Sequence, residues 1–79
     1  MEIRSIKGVQ NCIKNLLCQK NMSMRQLAKK SGVAQTTISA ILQGRSKSPT
    51  IKTLCNLSIG FGIYYVDFFI KIEEEMLDY

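Results

Sequence analysis

Glycine follows three successive segments whose apolar residues recur at three- and four-residue spacing. The segments and the glycines after them are residues 24–31 with Gly32, residues 35–43 with Gly44, and residues 51–61 with Gly62. That spacing places the apolar residues on one face of an α-helix. Glycine readily takes the left-handed conformation that ends a helix. The pattern therefore predicts a set of short helices joined by tight turns.

Two more helices are predicted outside these three. The first covers about Ser5 to Gln19 and has a regular apolar stripe, made of Ile6, Val9, Ile13, Leu16 and Leu17. The last covers Tyr65 to about Leu77, although the apolar residues between positions 66 and 72 also alternate as they would in a strand. A helix is favoured there because residues 73–77 are good helix formers.

The length of the chain favours a locally connected core. A chain of 79 residues buries only about 60–65% of its unfolded surface, so the core must be compact. Helices meet this need better than a sheet does, because their contacts are local. We expect an all-α fold of five helices in a single domain, residues 1–79. Its core would cover about residues 5–69, and residues 70–79 would be a C-terminal extension.

The start of the second helix has the clearest local signal in the chain. Ser23 and Gln26 have the spacing of a capping box, in which each side chain accepts a hydrogen bond from the backbone N–H of the other residue. Met22 and Leu27 flank the box as a hydrophobic staple. This helix is therefore predicted to begin at Met24. For the fourth helix two caps remain open, either Thr50, or Ser48 with Pro49 at the first helical position.

Charge is divided unevenly along the chain. Residues 1–66 carry +9, with Glu2 as their only acid, whereas residues 67–79 carry −4, which together make the net charge of +5. A strongly basic body suits a polyanion, either nucleic acid or an anionic membrane surface. The longest stretch without charge, Thr53 to Val66, is 14 residues and is too short to span a bilayer.

Composition excludes several classes of function. The chain has no histidine, which excludes chemistry that needs an imidazole. Cys12, Cys18 and Cys55 are separated by 6 and 37 residues, which fits neither a disulfide framework nor a zinc site. They are typical of reduced thiols in the cytoplasm, and Cys12 and Cys18 fall beside the apolar stripe of the first helix, where a free cysteine acts as a small hydrophobe. We expect no enzyme activity, catalytic residue, metal or cofactor.

The third predicted helix has an unusual outer face. Ile38 and Ile41 lie on one side, and the other side has neither a charge nor a large apolar group, being made of Gln35, Thr36, Ser39, Ala40 and Gln43. Glutamine can bond bidentately to adenine, hydroxyls can bond several base edges, and alanine can touch a thymine methyl. Cations stand at the margins, where phosphate contacts belong: Arg25, Arg45 and Lys47. Such a helix suits the major groove of duplex DNA.

Residues 24–43 resemble the helix-turn-helix of the phage repressor and Cro (Xre-like) family. The matching positions are Leu27, Ala28, Gly32, Val33, Ile38 and Ile41, followed by Gly44 and Pro49. The resemblance extends over about Val9 to Phe69. It implies a lambda-repressor-like domain that binds double-stranded DNA sequence-specifically and regulates transcription, with repression by promoter occupancy as the favoured mode.

The resemblance also implies which residues touch DNA. The residues that would read bases are Ala34, Gln35, Thr36 and Ala40. Ser39 and Gln43 would also belong to the base-reading set, but they would lie at the edge of the site or near the DNA backbone. Phosphates would meet the start of the second helix, at Ser23, Met24 and Arg25. On the far side the backbone would be held by Arg45, Lys47 and Ser48.

Three positions depart from the family pattern. Leu17 and Leu42 stand where many relatives place an arginine and a glutamate that form a buried ion pair. Because both members differ together, no orphan charge is left, and a well-packed apolar pair can be equally stable. Met24 stands where relatives often have a phosphate-binding glutamine. Tyr64 replaces the usual small polar cap of the fifth helix.

The C-terminal segment predicts self-association. Apolar residues with spacings of 4, 3, 4 and 3, typical of a two-helix seam, are Tyr65, Phe69, Ile72, Met76 and Tyr79. We expect a homodimer formed through this segment, bound over two DNA half-sites about one helical turn apart. The acidic residues 73–75 would face solvent or basic groups of the partner. An antitoxin, or an adaptor that holds another protein partner through the same domain, is the alternative.

Overall fold

The part of the chain that the structure describes folds as five α-helices. The computed structural model describes residues 6–46 and 48–77, with side chains described to residue 75. The helices are α1 (Ile6–Gln19), α2 (Met24–Ser31), α3 (Gln35–Leu42), α4 (Ile51–Phe61) and α5 (Tyr65–Leu77). Because residues 65–77 are helical, the strand alternative for α5 is wrong. The expected all-α fold is confirmed.

The predicted helix ends are formed by side-chain caps and left-handed glycines. Ser23 Oγ accepts from Gln26 N at 3.1 Å and Gln26 Oε1 accepts from Ser23 N at 2.9 Å, so the capping box is confirmed. Thr50 Oγ1 accepts from Thr53 N at 3.1 Å and caps α4. The alternative cap at Ser48 is wrong because α4 begins at Ile51, two residues after Pro49.

The core lies between α1 and α5 on one side and between α2 and α4 on the other, with α3 packed against α1 and α2. Its largest fully buried side chains are Ile13, Leu27, Ile38, Ile41, Leu54, Leu57, Phe68 and Ile72. The ring centroids of Phe61 and Phe68 are 6.0 Å apart, and this contact joins α4 to α5. Leu17 and Leu42 are half-buried, and each packs against this core.

The burial of Ile72 contradicts part of the predicted self-association seam. Its side chain is 0% exposed within one chain, because α5 packs along α1 and directs Phe68 and Ile72 into the shared core. A residue buried in its own monomer cannot also form the seam of a dimer, so the prediction is wrong at this position. The side chain of Met76 and the whole of Tyr79 lie outside the described residues. The exposed apolar residues of α5 are instead Tyr65, Val66 and Ile70.

The acidic end of α5 is tied to α1. Glu75 Oε1 accepts a hydrogen bond from Asn15 Nδ2 at 2.8 Å, whereas Glu73 and Glu74 are exposed. Burial, with a smaller contribution from the Glu75 carboxylate, raises the pKa of the Cys12 thiol to about 12.

The two cysteines of α1 differ in exposure. Cys12 is buried as expected beside the apolar stripe, but Cys18 is exposed, so the expected packing is wrong for Cys18. No group of metal-ligating side chains is found among the described residues. In the same part of the chain no single helix is long and apolar enough to cross a membrane, and α4 and α5, which pass that test only together, are bent by 105°.

Candidate nucleic-acid interface

Helix α3 presents one polar face to solvent and buries the other. Ile38 and Ile41 are fully buried and anchor the helix to the core. The outer face has exposed Ala34, Gln35, Thr36 and Gln43, with Ser39 and Ala40 half-buried between them. The structure therefore brings together on one surface all six residues predicted to read bases.

The turn between α2 and α3 has a defined geometry. Gly32 takes φ +76°, and its N–H donates to Ala28 O at 3.0 Å. Ser31 Oγ then accepts from Val33 N at 3.1 Å, and the Val33 side chain is buried. These contacts set the angle between the two helices, and so they set how far α3 projects from the domain.

The N-terminus of α3 has no side-chain cap. Ala34 occupies the N-cap position, and its carbonyl accepts from Thr37 N and Ile38 N at 2.9 and 3.1 Å. The amides of Gln35 and Thr36 precede the first possible intrahelical bond. They lie at the positive end of the helix dipole, so they can donate to a phosphate or to an acceptor on a base.

At the N-terminus of α2, fewer backbone N–H groups can bind an anion than the sequence indicated. The capping box already pairs the backbone N–H of Ser23 and that of Gln26. The backbone donors left for an anion are those of Met24 and Arg25, which begin the helix. The Arg25 side chain is exposed at the same end, so charge and backbone donors coincide there.

The loop after α3 is hydrogen-bonded back to the end of that helix. Gly44 takes φ +81°, and Ala40 O accepts from Arg45 N at 2.9 Å and from Ser46 N at 3.1 Å. The Arg45 side chain and Ser48 are exposed, whereas Lys47 lies outside the described residues. On α3 itself, Gln43 Nε2 donates to Ser39 Oγ at 3.1 Å, which orients the last side chain of the polar face.

Two residues that position this surface were not found from the sequence. Gln10 of α1 donates from Nε2 to Ile41 O at 3.0 Å and to Leu42 O at 3.3 Å. Gly60 of α4 allows close contact with α2, because a Cβ atom there would lie 2.7 Å from Ser31 Cβ. In the sequence, Gln10 was visible only as a polar residue at the edge of the apolar stripe of α1. Gly60 was visible only as a glycine inside a predicted helix.

The electrostatic setting of this surface is uniformly positive. No Asp or Glu occurs from residue 6 to residue 66, and this range includes α1 to α4. Its exposed described cations include Arg25, Lys29, Lys30, Arg45 and Lys52. A neutral hydrogen-bonding face within a positive field matches a duplex, whose phosphates attract cations and whose base edges require directional bonds.

Solved structures of a known protein have a similar fold. The wild-type restriction-modification controller protein C.Esp1396I is 31% identical, with 94% of each chain covered and a TM-score of 0.83. The same protein as a tetramer on its natural 35 base-pair operator is 32% identical, covering 92% of this chain and 95% of that chain, with a TM-score of 0.83. Bound to a 19 base pair DNA duplex it is 33% identical, covering 92% and 96%, with a TM-score of 0.80. No match was found among curated proteins.

The match to a family covers most of the chain. A helix-turn-helix family model matches residues 13–68, which include α2, α3 and the turn between them. The structural similarity extends beyond residues 13–68, since the matched structures cover more than nine-tenths of the chain. The chain therefore belongs to the helix-turn-helix family and is a DNA-binding transcriptional regulator of the Xre type.

Proposed function

We propose that the protein binds a specific operator in double-stranded DNA, with α3 in the major groove, and regulates the promoter that contains this operator. The observation that carries the proposal is the neutral outer face of α3, bounded by exposed Arg25 and Arg45. This action needs duplex DNA and takes place in the cytoplasm. Repression by promoter occupancy is the simplest outcome, because a protein seated on a promoter excludes polymerase.

We assign the residues of the interface to two roles. Sequence is read by directional bonds and methyl contacts from Ala34, Gln35, Thr36, Ser39, Ala40 and Gln43. Affinity comes from phosphate contacts at Ser23, Met24, Arg25, Arg45, Lys47 and Ser48, with Ser23 donating through its hydroxyl and Met24 and Arg25 through their backbone N–H groups. The exposure of Ser23, Arg25, Arg45 and Ser48 supports this division.

Replacing Gln35 by alanine should weaken binding to the selected operator by about 1–3 kcal/mol and leave binding to random duplex nearly unchanged. Arg45→Ala should weaken both and reduce the slope of log affinity against log salt by about one. The operator is first obtained by selecting bound sites from random duplexes. Titrations with labelled duplex at several salt concentrations then separate the two roles.

Gln19→Ala and Lys14→Ala are the matched controls, because both residues are exposed on α1. Each should behave as the wild type. Equal losses on operator and random duplex from both Gln35→Ala and Arg45→Ala would contradict the assigned roles. Failure of the wild type to enrich any sequence would favour the alternative, an antitoxin or adaptor that acts through a protein partner.

We also propose that the protein binds DNA as a homodimer through the exposed apolar side of α5. The side chains of Tyr65, Val66 and Ile70 are 51%, 54% and 49% exposed. The ring of Phe69 packs beside that of Tyr65, with 5.5 Å between the ring centroids. Adjacent large apolar side chains left in water are typical of an interaction surface. The matched controller protein binds its operator as a tetramer, which supports self-association of this chain.

Val66→Asp should convert the dimer to a monomer, because each partner would bury an unpaired carboxylate. Light scattering with size-exclusion chromatography measures the mass. Ile51→Asp is the control, since Ile51 is 60% exposed and begins α4, whereas α5 follows the other end of that helix. An unchanged mass for Val66→Asp would place the dimer surface elsewhere.

The relative also suggests what is regulated. C.Esp1396I is a restriction-modification controller protein. We therefore propose that this chain controls the genes of a restriction-modification system. The selected operator should then occur upstream of its own gene and of a neighbouring nuclease or methyltransferase gene. An operator found only at unrelated promoters would contradict this narrower role.

A further inference from the structure

We propose that Gln10 is a positioning residue for DNA recognition, which holds the C-terminal end of α3 from the first helix. This inference rests on the proposed function, because α3 is taken as the helix that reads bases. It adds a residue that lies outside the helix-turn-helix and makes no assigned contact with DNA.

The geometry is that of one amide group bridging two consecutive carbonyls. Gln10 Nε2 lies 3.0 Å from Ile41 O and 3.3 Å from Leu42 O, and the contact is partly buried. Gln10 is separated from its acceptors by 31 and 32 residues. The bonds therefore join α1 to α3 directly, independently of the turn between α2 and α3.

The end of α3 needs such support because the last carbonyls of a helix have no intrahelical donors. Backbone donors from the following loop reach Ser39 O, Ala40 O and Ile41 O. Gln10 extends the set to Leu42 O, the final carbonyl of the helix. With only eight residues and no side-chain N-cap, α3 has little stability of its own.

The supported end is the one that carries the last DNA contacts. Gln43 follows Leu42 directly, and Arg45 lies two residues further on. Gly44 sits against the Gln10 amide, since a Cβ atom there would lie 3.5 Å from Nε2. Apolar packing of Ile41 holds this turn against the core but has no directional preference. The two hydrogen bonds supply that direction and thereby orient Gln43 and Arg45 together.

Loss of the amide should consequently affect recognition at one end of α3. Gln35 and Thr36 lie at the opposite end, where the turn after α2 holds the helix through Ser31, Gly32 and Val33. Positions of the operator read from that end should keep their base preference. Positions read by Gln43 should lose theirs.

The test uses Gln10→Met, which keeps the length of the side chain and removes the donor. Selected operators are compared for the wild type, Gln10→Met, Gln43→Ala and Gln35→Ala. Gln10→Met should lose roughly five- to tenfold in operator affinity. It should flatten base preference at the positions that Gln43→Ala flattens and leave those of Gln35 unchanged. Gln19→Met, the same change at the other end of α1, should match the wild type.

Two further variants separate positioning from simple loss of packing. Gln10→Glu has the same shape but turns carboxylate oxygens toward carbonyls at the negative end of a helix, so it should weaken binding more than Gln10→Met. Gln10→Lys restores a donor and should recover part of the affinity. An equal loss of preference at all operator positions, or no loss, would overturn the proposal.

Hydrogen exchange on the free protein tests the same contact without DNA. The amides of Gln43 and Arg45 donate to Ser39 O and Ala40 O at 2.9 Å each, and both should exchange faster in Gln10→Met. The Leu27 amide, which bonds to Ser23 O within α2, should be unaffected. Unchanged exchange at Gln43 and Arg45 would overturn the role of Gln10 even if the protein selects an operator. Failure of the wild type to select any sequence would instead overturn the proposed function.

Discussion

Replacement of Ile72 by alanine is expected to lower the free energy of unfolding by about 2–5 kcal/mol. The side chain is 0% exposed, and its removal leaves a cavity between α1 and α5 that the packed helices can fill only in part. Urea unfolding monitored by circular dichroism measures the change. A domain of this size has a total stability of roughly 4–12 kcal/mol, so the variant should be close to unfolding at ambient temperature.

Ile59→Ala is the matched control, because it is the same change at an isoleucine of α4 that lies outside the proposed dimer surface. Ile59 is 66% exposed, and truncation of a surface residue usually changes stability by about 0.5 kcal/mol or less. Both variants should be measured at two protein concentrations, since dissociation of a dimer would make the midpoint depend on concentration. Equal effects of the two truncations would contradict the assignment of Ile72 to the core and would support the seam predicted from its spacing.

Gly60→Ala is expected to destabilise the protein by about 3 kcal/mol, at the upper end of the usual range for overpacking. The added Cβ would lie 2.7 Å from Ser31 Cβ, 2.9 Å from Leu27 Cδ1 and 3.1 Å from Ser31 Cα. Leu27 can rotate away, but the two Ser31 atoms are part of the α2 backbone or attached to it. The helices α2 and α4 must therefore separate, and thermal or urea unfolding should report the loss.

Intrinsic propensity alone predicts the opposite sign for this change. Alanine inside a helix is more favourable than glycine by about 1 kcal/mol, so Gly60→Ala would stabilise α4 if its surface were open. A gain in stability would therefore contradict the close packing of α2 against α4. Because α2 carries the start of the helix-turn-helix, DNA affinity should fall together with stability.

Gly62 provides a comparison in which a different mechanism operates. A Cβ atom added at Gly62 would lie in open space, but the residue has φ +75°. Gly62→Ala should therefore lower the free energy of unfolding by about 1 kcal/mol through backbone strain. Asparagine tolerates that conformation, so Gly62→Asn should be close to the wild type. At Gly60, asparagine should be worse than alanine, because the larger side chain increases the overlap. The same pair of substitutions thus separates crowding from strain.

The location of the polar face followed from the sequence because helix periodicity links residue order to direction. Ile38 and Ile41 identify the buried side of α3, and the opposite side is then polar by position. The capping box at Ser23 and Gln26 and the left-handed glycines at positions 32, 44 and 62 similarly depend on neighbours within one helical turn. Such local contacts form in the same way whatever the rest of the chain does.

Helix α5 shows where this reasoning fails. Its apolar residues occupy more than one side of the helix, so periodicity alone cannot say which side enters the core. Packing against α1 buried Phe68 and Ile72 and left Tyr65, Val66 and Ile70 in solvent. The choice depends on the shape of a surface made by residues some sixty positions earlier, as the bond from Asn15 to Glu75 illustrates.

By itself, therefore, the sequence determined the number of helices, the capping box at the start of α2, the helix-turn-helix and the polar face that would meet the bases, because each depends on contacts within a few residues. Only the tertiary structure decided which side of α5 is core, that Gly60 lies against Ser31, and that Gln10 reaches the end of α3. These three features depend on contacts between residues far apart in the chain. No local pattern encodes the distance or the angle at which such residues meet.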